Sequence, residues 1–215
     1  MEARDEEIRE LAVSRFVALC EASDIQYTMR HDTSIAIQEL LHESIYADLL
    51  IIDSKETLCH YDENIPTRFV RDLLSEVQCP VLVVPHNYKN IDKVILLYDG
   101  EPSSVFAIRT FSILFPELNK IETEVLTVKT PDQPLYLPDK NLMKEFMIRH
   151  FPNLKFNLLK GSAEAEIIHE VKHQGRNVML VLGAYRRGRV SRWFRQSMAD
   201  VLMSHLKVPL FITHN

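Results

Sequence analysis

The sequence predicts an α/β protein: a parallel sheet with helices on both faces. Three observations carry this. Short apolar runs alternate with stretches of helical periodicity along most of the 215 residues. Runs such as "LLII" and "VMLVL" are continuously apolar instead of alternating, as strands buried on both faces must be. The pattern also repeats: "IQELLHESIYADLLIID…CPVLVVPHN" matches "EIIHEVKHQGRNVMLVLG…VPLFITHN", with Asp53 aligned to Gly183 and Pro80 to Pro209.

Taken in order, residues 5–23 set Ile8, Leu11, Ala12, Phe16 and Leu19 at helical spacing behind an acidic first turn. Residues 25–31, "IQYTMRH", read as a short strand, and 34–47 as a helix carrying Ile37, Leu40, Leu41 and Ile45. A strand follows over 48–53. A helix over 66–77 opens with Pro66 at its first position, where the missing N–H costs nothing. The strand at 80–85 is bracketed by prolines, and Pro80 and Pro209 set where the two terminal strands begin.

The polar stretch "HNYKNID" after Pro85 reads as a linker, dividing the chain into units 1–88 and 89–215. The second unit alternates strands at 93–99, 123–128, 154–160, 177–183 and 208–215 with helices at 102–115, 141–151, 162–174 and 197–206. The proline-rich 129–138 is a loop. The first unit lacks the equivalents of the 93–99 strand, the helix after it and the 123–128 strand, so it is an incomplete copy.

Composition narrows the function. A net charge of −5 argues against general nucleic-acid binding. The longest apolar runs are of strand length, well short of the roughly 20 residues that span a bilayer, so no membrane partner is expected. The acidic start "MEARDEEIRELAV" has no signal-peptide core. Cys20, Cys59 and Cys79 are three scattered thiols, in keeping with structural roles and a reducing cytoplasm. The nine histidines are spread along the chain and no metal centre is expected. His86, His205 and His214 are read as surface or cap residues.

One stretch stands apart. Between Gly183 and Ser197 lie Arg186, Arg187, Arg189, Arg192 and Arg195. The residues leave three uses open: a phosphate site, a solvated approach to a helix, or a nucleic-acid patch, the last disfavoured by the acidic remainder. Trp193 and Phe194 within it read as packing residues. Asp99, at the carboxyl end of a buried strand, suits either a ligand site or the N-cap of the helix near Pro102. No phosphate-loop lysine accompanies it, so catalytic turnover is not expected.

On the stretches "VILLYDGEPSSVFAIRTF" and "VMLVLGAYRRGRVSRWFRQSMADVLMSHLKVPLFIT" the chain resembles the universal stress protein family, in a tandem two-domain arrangement with the first unit truncated at its N-terminus. The resemblance implies a five-stranded parallel sheet of order 3-2-1-4-5, of the adenine-nucleotide alpha-hydrolase type. It implies a non-catalytic cytoplasmic stress-response module. ATP-binding members carry G-x2-G-x9-G-[ST] and an aspartate ending strand one. Carried over, Asp99, Gly183 and Ser197 match; Arg186 stands at the second glycine and Gln196 at the third, with Gly188 and Arg189 inside the loop but off the motif. Tyr98, Val128 and Met198 complete the candidate nucleotide set.

The first unit places Asp53, Glu56, Pro66 and Thr67 at the same spacing, without a glycine and with two carboxylates that would repel phosphate. The resemblance therefore implies weak ATP binding, with Mg²⁺ if any metal, in the second unit alone. The alternative is a nucleotide-free pseudo-dimeric scaffold in stress signalling, its two units paired through strands 80–85 and 208–215. A homodimer is compatible with either reading.

Overall fold

The computed structural model describes residues 2–30, 36–57, 61–175, 177–184 and 197–213. The chain divides into two compact units, residues 1–36 and 37–215. The first holds helix α1 (Glu2–Ala22), after which residues 25–30 form no strand, against the expectation for 25–31. Phe16 and Tyr27 meet edge to face at 5.7 Å within it. A strand needs a hydrogen-bonded neighbour, and an alternating run without one stays irregular.

The second unit runs α2 (Ala36–Glu43), β1 (Leu50–Asp53), α3 (Arg68–Glu76), β2 (Val81–Val84), β3 (Lys93–Leu97), α4 (Pro102–Leu114), β4 (Glu122–Lys129), α5 (Lys140–His150), β5 (Leu154–Lys160), α6 (Ala163–His173), β6 (Val178–Gly183), α7 (Met198–His205) and β7 (Leu210–Thr213). The strands form one sheet of order β1-β2-β7-β6-β3-β4-β5. The last five of these, read by their place in the chain from β3 onward, run fifth, fourth, first, second, third, which is the expected 3-2-1-4-5 order taken from the other edge. All pairs are parallel except β2 with β7, where Leu82 lies opposite Phe211.

The sheet is therefore seven-stranded and mixed, not a five-stranded parallel one. No crossover links β2 to β7 directly, so nothing holds them to one direction, and pairing satisfies the polar edges of both apolar strands.

Each face of the sheet has its own core. On one, α3 contributes Phe69, Val70, Leu73 and Leu74, α6 Ile167 and Val171, and α7 Ala199, Leu202 and Met203. On the other, α4 contributes Ala107, Ile108 and Phe111, and α5 Met143 and Met147. These sets recur at three- and four-residue spacing, which is why the periodic stretches become helices at all.

Helix ends depart from the sequence reading. The helix expected over 34–47 stops at Glu43, and Ile45 beyond it is 58% exposed. The helix expected from Pro66 starts at Arg68; Thr67 is its N-cap, its hydroxyl accepting from Val70 N–H at 3.2 Å. Thr67 can cap because its extended backbone frees the side chain to turn back, and Pro66 lies outside the helix.

At the amino ends of β3, β4 and β5 sits a buried polar cluster. Lys93 opens β3 with its side chain 5% exposed, and its ammonium pairs with Glu124 of β4, whose side chain is 7% exposed. Lys93 Nζ also donates to Gln174 Oε1 at 2.9 Å, and Asn157 Nδ2 donates to Glu124 Oε1 at 2.9 Å.

Candidate functional site

At the opposite, carboxyl ends of β3, β4 and β6 lies a cleft of about 170 Å³, where open α/β sheets place their ligands. Leu97, Tyr98 and Asp99 reach it from the end of β3, Leu126 and Val128 from β4, Leu182 and Gly183 from β6, Ser104 from α4, Ala163 and Ile167 from α6, and Met198 from α7. Of the sequence-derived candidates, Tyr98, Asp99, Val128, Gly183 and Met198 thus share one cleft. Arg186, Gly188, Arg189 and Gln196 lie outside the described residues, as do the other loop arginines, Trp193 and Phe194.

Asp99 is held tightly. One of its oxygens, Oδ1, accepts from Glu101 N–H at 2.9 Å and from the Ser104 hydroxyl at 2.8 Å. The N-cap of α4 is Glu101, not Asp99, and Glu101 caps with no side-chain bond. The turn through Gly100 explains the difference: four residues, Tyr98 to Glu101, lie between the end of β3 and the helix, so Asp99 makes a turn contact two residues on instead of a cap. Gly100 takes φ +96°, and a Cβ there would meet Pro138 at 2.7 Å, so only glycine fits.

The same loop covers Tyr98, whose hydroxyl donates to Pro138 O at 3.2 Å. Burial pushes the Tyr98 phenol above its ordinary range, and the charges of Asp139 and Asp99 push it the same way.

Gly183 has a structural requirement of its own. A Cβ on it would lie 2.5 Å from the Ser103 carbonyl oxygen, in the first turn of α4. Backbone, not a pliable side chain, blocks that space. Gly183→Ala is expected to cost about 1–3 kcal/mol, as overpacking does, measured as a lower urea midpoint. An unchanged midpoint would show that α4 shifts freely.

Ser197 precedes α7, and its N–H donates to Asp200 Oδ2 at 3.3 Å. Asp200 is buried, with Arg71 Nε of α3 at 4.0 Å. The start of this helix therefore already carries a carboxylate of its own chain.

The first-half counterpart is filled in the same manner. Asp53 Oδ1 accepts from Lys55 N–H at 2.8 Å, and its Oδ2 lies 3.2 Å from His86 Nδ1. The N–H of Glu56 donates to Asp53 O at 3.0 Å, and the Thr67 hydroxyl donates to Glu56 O. Glu63 Oε2 accepts from Arg68 N–H at 2.7 Å. Pro66 is buried, and its carbonyl accepts from Arg71 Nη2 at 3.2 Å. Two of the N–H groups that a phosphate would use at α3, those of Arg68 and Val70, are thus engaged by Glu63 and Thr67.

Sequence reasoning missed Leu97, Leu126 and Leu182 on the strands and Ser104, Ala163 and Ile167 on the helices as cleft residues. The signal for the last two was the apolar side of the 162–174 helix, whose direction over the sheet is set by the crossover. It also overlooked that His169-Glu170-Val171-Lys172-His173 spells H-E-x-x-H. Among the described residues no group of three or more His, Cys, Asp or Glu is placed to hold a metal. Nor is any helix among them long and apolar enough to cross a membrane. Cys20 and Cys79 are buried, and burial raises the Cys79 thiol above its usual range; Cys59 lies outside the described residues.

No protein-family model matches the chain, and no curated protein does. Solved structures do. A universal stress protein from Archaeoglobus fulgidus DSM 4304 superposes with a TM-score of 0.76 at 15% identity, covering 97% of this chain and 79% of that one. A Pseudomonas aeruginosa UCBPP-PA14 protein ascribed to the universal stress proteins gives 0.63 at 13% identity, over 95% and 78%. A functionally unknown protein from Pseudomonas aeruginosa PAO1 gives 0.63 at 14%, over 95% and 77%. The chain has the fold of the universal stress proteins.

Proposed function

We propose that the chain is a universal stress protein-like, non-catalytic module of the cytoplasm that binds an adenine nucleotide weakly through residues 89–215. The observation that carries this reading is the cleft where Asp99, Val128, Gly183 and Met198 converge at the carboxyl ends of three parallel strands. Its walls are apolar apart from Asp99, Ser104 and Tyr98, which suits a base or ribose, and the cationic stretch from Arg186 joins β6 to α7 in sequence. Asp99 is tied to Glu101 N–H and the Ser104 hydroxyl, which fixes its carboxylate in place for orienting a ligand. Asp200 at the α7 start competes with a phosphate for the same N–H groups, which favours weak binding.

A second reading, a nucleotide-free scaffold built as a pseudo-dimer of two repeats, is favoured by the antiparallel β2–β7 pairing, which joins strands from either side of residue 88 into one sheet.

Calorimetric titration with ATP and adenosine, with and without Mg²⁺, separates the two. Affinity of micromolar order or weaker is expected for wild type. Val128→Trp, which fills the cleft, should abolish binding of both ligands. Arg186→Ala should weaken ATP more than adenosine, by about 1.5–3 kcal/mol, the worth of a charge-assisted phosphate contact. No heat with ATP at millimolar concentration establishes the scaffold reading, and phosphate release over time refutes both.

A further inference from the structure

We propose that His169 and His173 form a two-imidazole site for a borderline divalent transition metal, of the Cu²⁺, Ni²⁺ or Zn²⁺ class, on the exposed side of α6. The two residues are four apart on one helix, the spacing that sets side chains one above the other. Their rings are stacked, with centroids 4.0 Å apart and 29° between planes. Both residues are exposed, so a metal and its waters can reach them.

The tautomer of His173 is set by its surroundings. Its Nδ1 lies 2.8 Å from the His169 carbonyl oxygen. A carbonyl only accepts, so the hydrogen is on Nδ1, and in the neutral ring the lone pair is then on Nε2, facing away from the backbone. A backbone carbonyl holding one imidazole nitrogen so that the other can ligate is the usual support of a metal-binding histidine.

His173 is also the last residue of α6, where the partial negative charge of the helix end favours a cation. Imidazole nitrogen donors select Cu²⁺, Ni²⁺ and Zn²⁺ over Mg²⁺ and Ca²⁺, which prefer oxygen. Water would complete the coordination.

The glutamate of the H-E-x-x-H pattern does not serve as a base here. The Glu170 carboxylate accepts from Gln174 Nε2, and Gln174 Oε1 in turn accepts from buried Lys93. That chain of contacts draws Glu170 toward the amino end of the sheet, so the proposal is metal binding, not hydrolysis.

Calorimetric titration of the full chain with Cu²⁺, Ni²⁺ and Zn²⁺ salts tests this, with Mg²⁺ as the oxygen-preferring control. His169→Ala and His173→Ala should each weaken the tightest transition-metal site at least tenfold and leave the thermal midpoint without metal unchanged. Lys172→Ala, on the same turn, should leave metal affinity unaltered. Electron paramagnetic resonance of the one-to-one Cu²⁺ complex should show nitrogen coordination that is lost in either histidine variant. Equal affinity in wild type and the two histidine variants, or no transition-metal binding tighter than that of Mg²⁺, overturns the proposal.

Discussion

Lys93→Met is expected to lower unfolding free energy by about 3–5 kcal/mol, the cost of leaving a buried charge without its partner. Glu124 stays with its side chain 7% exposed, still accepting from Asn157 but no longer facing an ammonium. Glu122, 3.7 Å from the same ammonium, loses that partner too and keeps only Lys155, at 3.3 Å, of its two cation contacts. Gln174 also loses the donor to its Oε1. In a chain of this size the change corresponds to a fall in thermal midpoint of roughly 6–20 °C.

Replacing both partners, Lys93→Met with Glu124→Leu, should recover most of the loss, because two apolar groups leave no charge to desolvate. Urea denaturation of the single and double variants reads this directly. A single-variant loss under about 1 kcal/mol would show that water reaches the pair and screens it.

Phe211→Ala should cost a similar amount, about 3–5 kcal/mol, through lost transfer energy and the cavity left behind. Phe211 is fully buried in β7, with Phe111 at 5.5 Å and Phe115 at 5.7 Å, both edge to face. Removing the ring deprives both aromatic partners of contact, and it does so in the strand that pairs with β2 on one side and β6 on the other. The loss therefore falls at the junction of the two halves of the sheet. Ile113→Ala on α4 is the control: at 68% exposure it should change stability by no more than about 0.5 kcal/mol. Chemical denaturation of both variants gives the comparison, and equal midpoints would remove Phe211 from its central place in the core.

Much of the site is legible in the amino-acid sequence. Asp99 and Gly183 end apolar runs, and in an open α/β sheet the strand ends on one edge converge. Their surroundings are not legible there. An acidic residue ahead of a proline-led helix suggests Asp99 as the N-cap, but the cap is Glu101, a matter of how many residues the turn consumes. Pro66 has the marks of a first helical residue, and Thr67 takes the cap instead. Gly183 has the place of a phosphate-loop glycine, yet the Ser103 carbonyl alone already requires it. That contact joins two elements far apart in the chain, and no local pattern records it. The arginine stretch is the plainest feature of the sequence, and it lies outside the described residues.

The alternation of strands and helices from Leu50 onward and the apolar side of each helix are written in the sequence, whereas the order of the strands from Lys93 onward came only with the family resemblance. The alternation and the apolar sides follow from periods of two to four residues, and a helix or strand meets its immediate neighbours whatever the rest of the chain does. The tertiary structure decided what the periods leave open. It set β2 antiparallel to β7 in a mixed sheet, and it left residues 25–30 without a strand partner. It also brought Lys93 to Glu124 and Gln174, 31 and 81 residues away along the chain. Such choices depend on which distant surfaces can be buried together without leaving a charge or a backbone group unpaired, and that is settled only when the whole chain is packed.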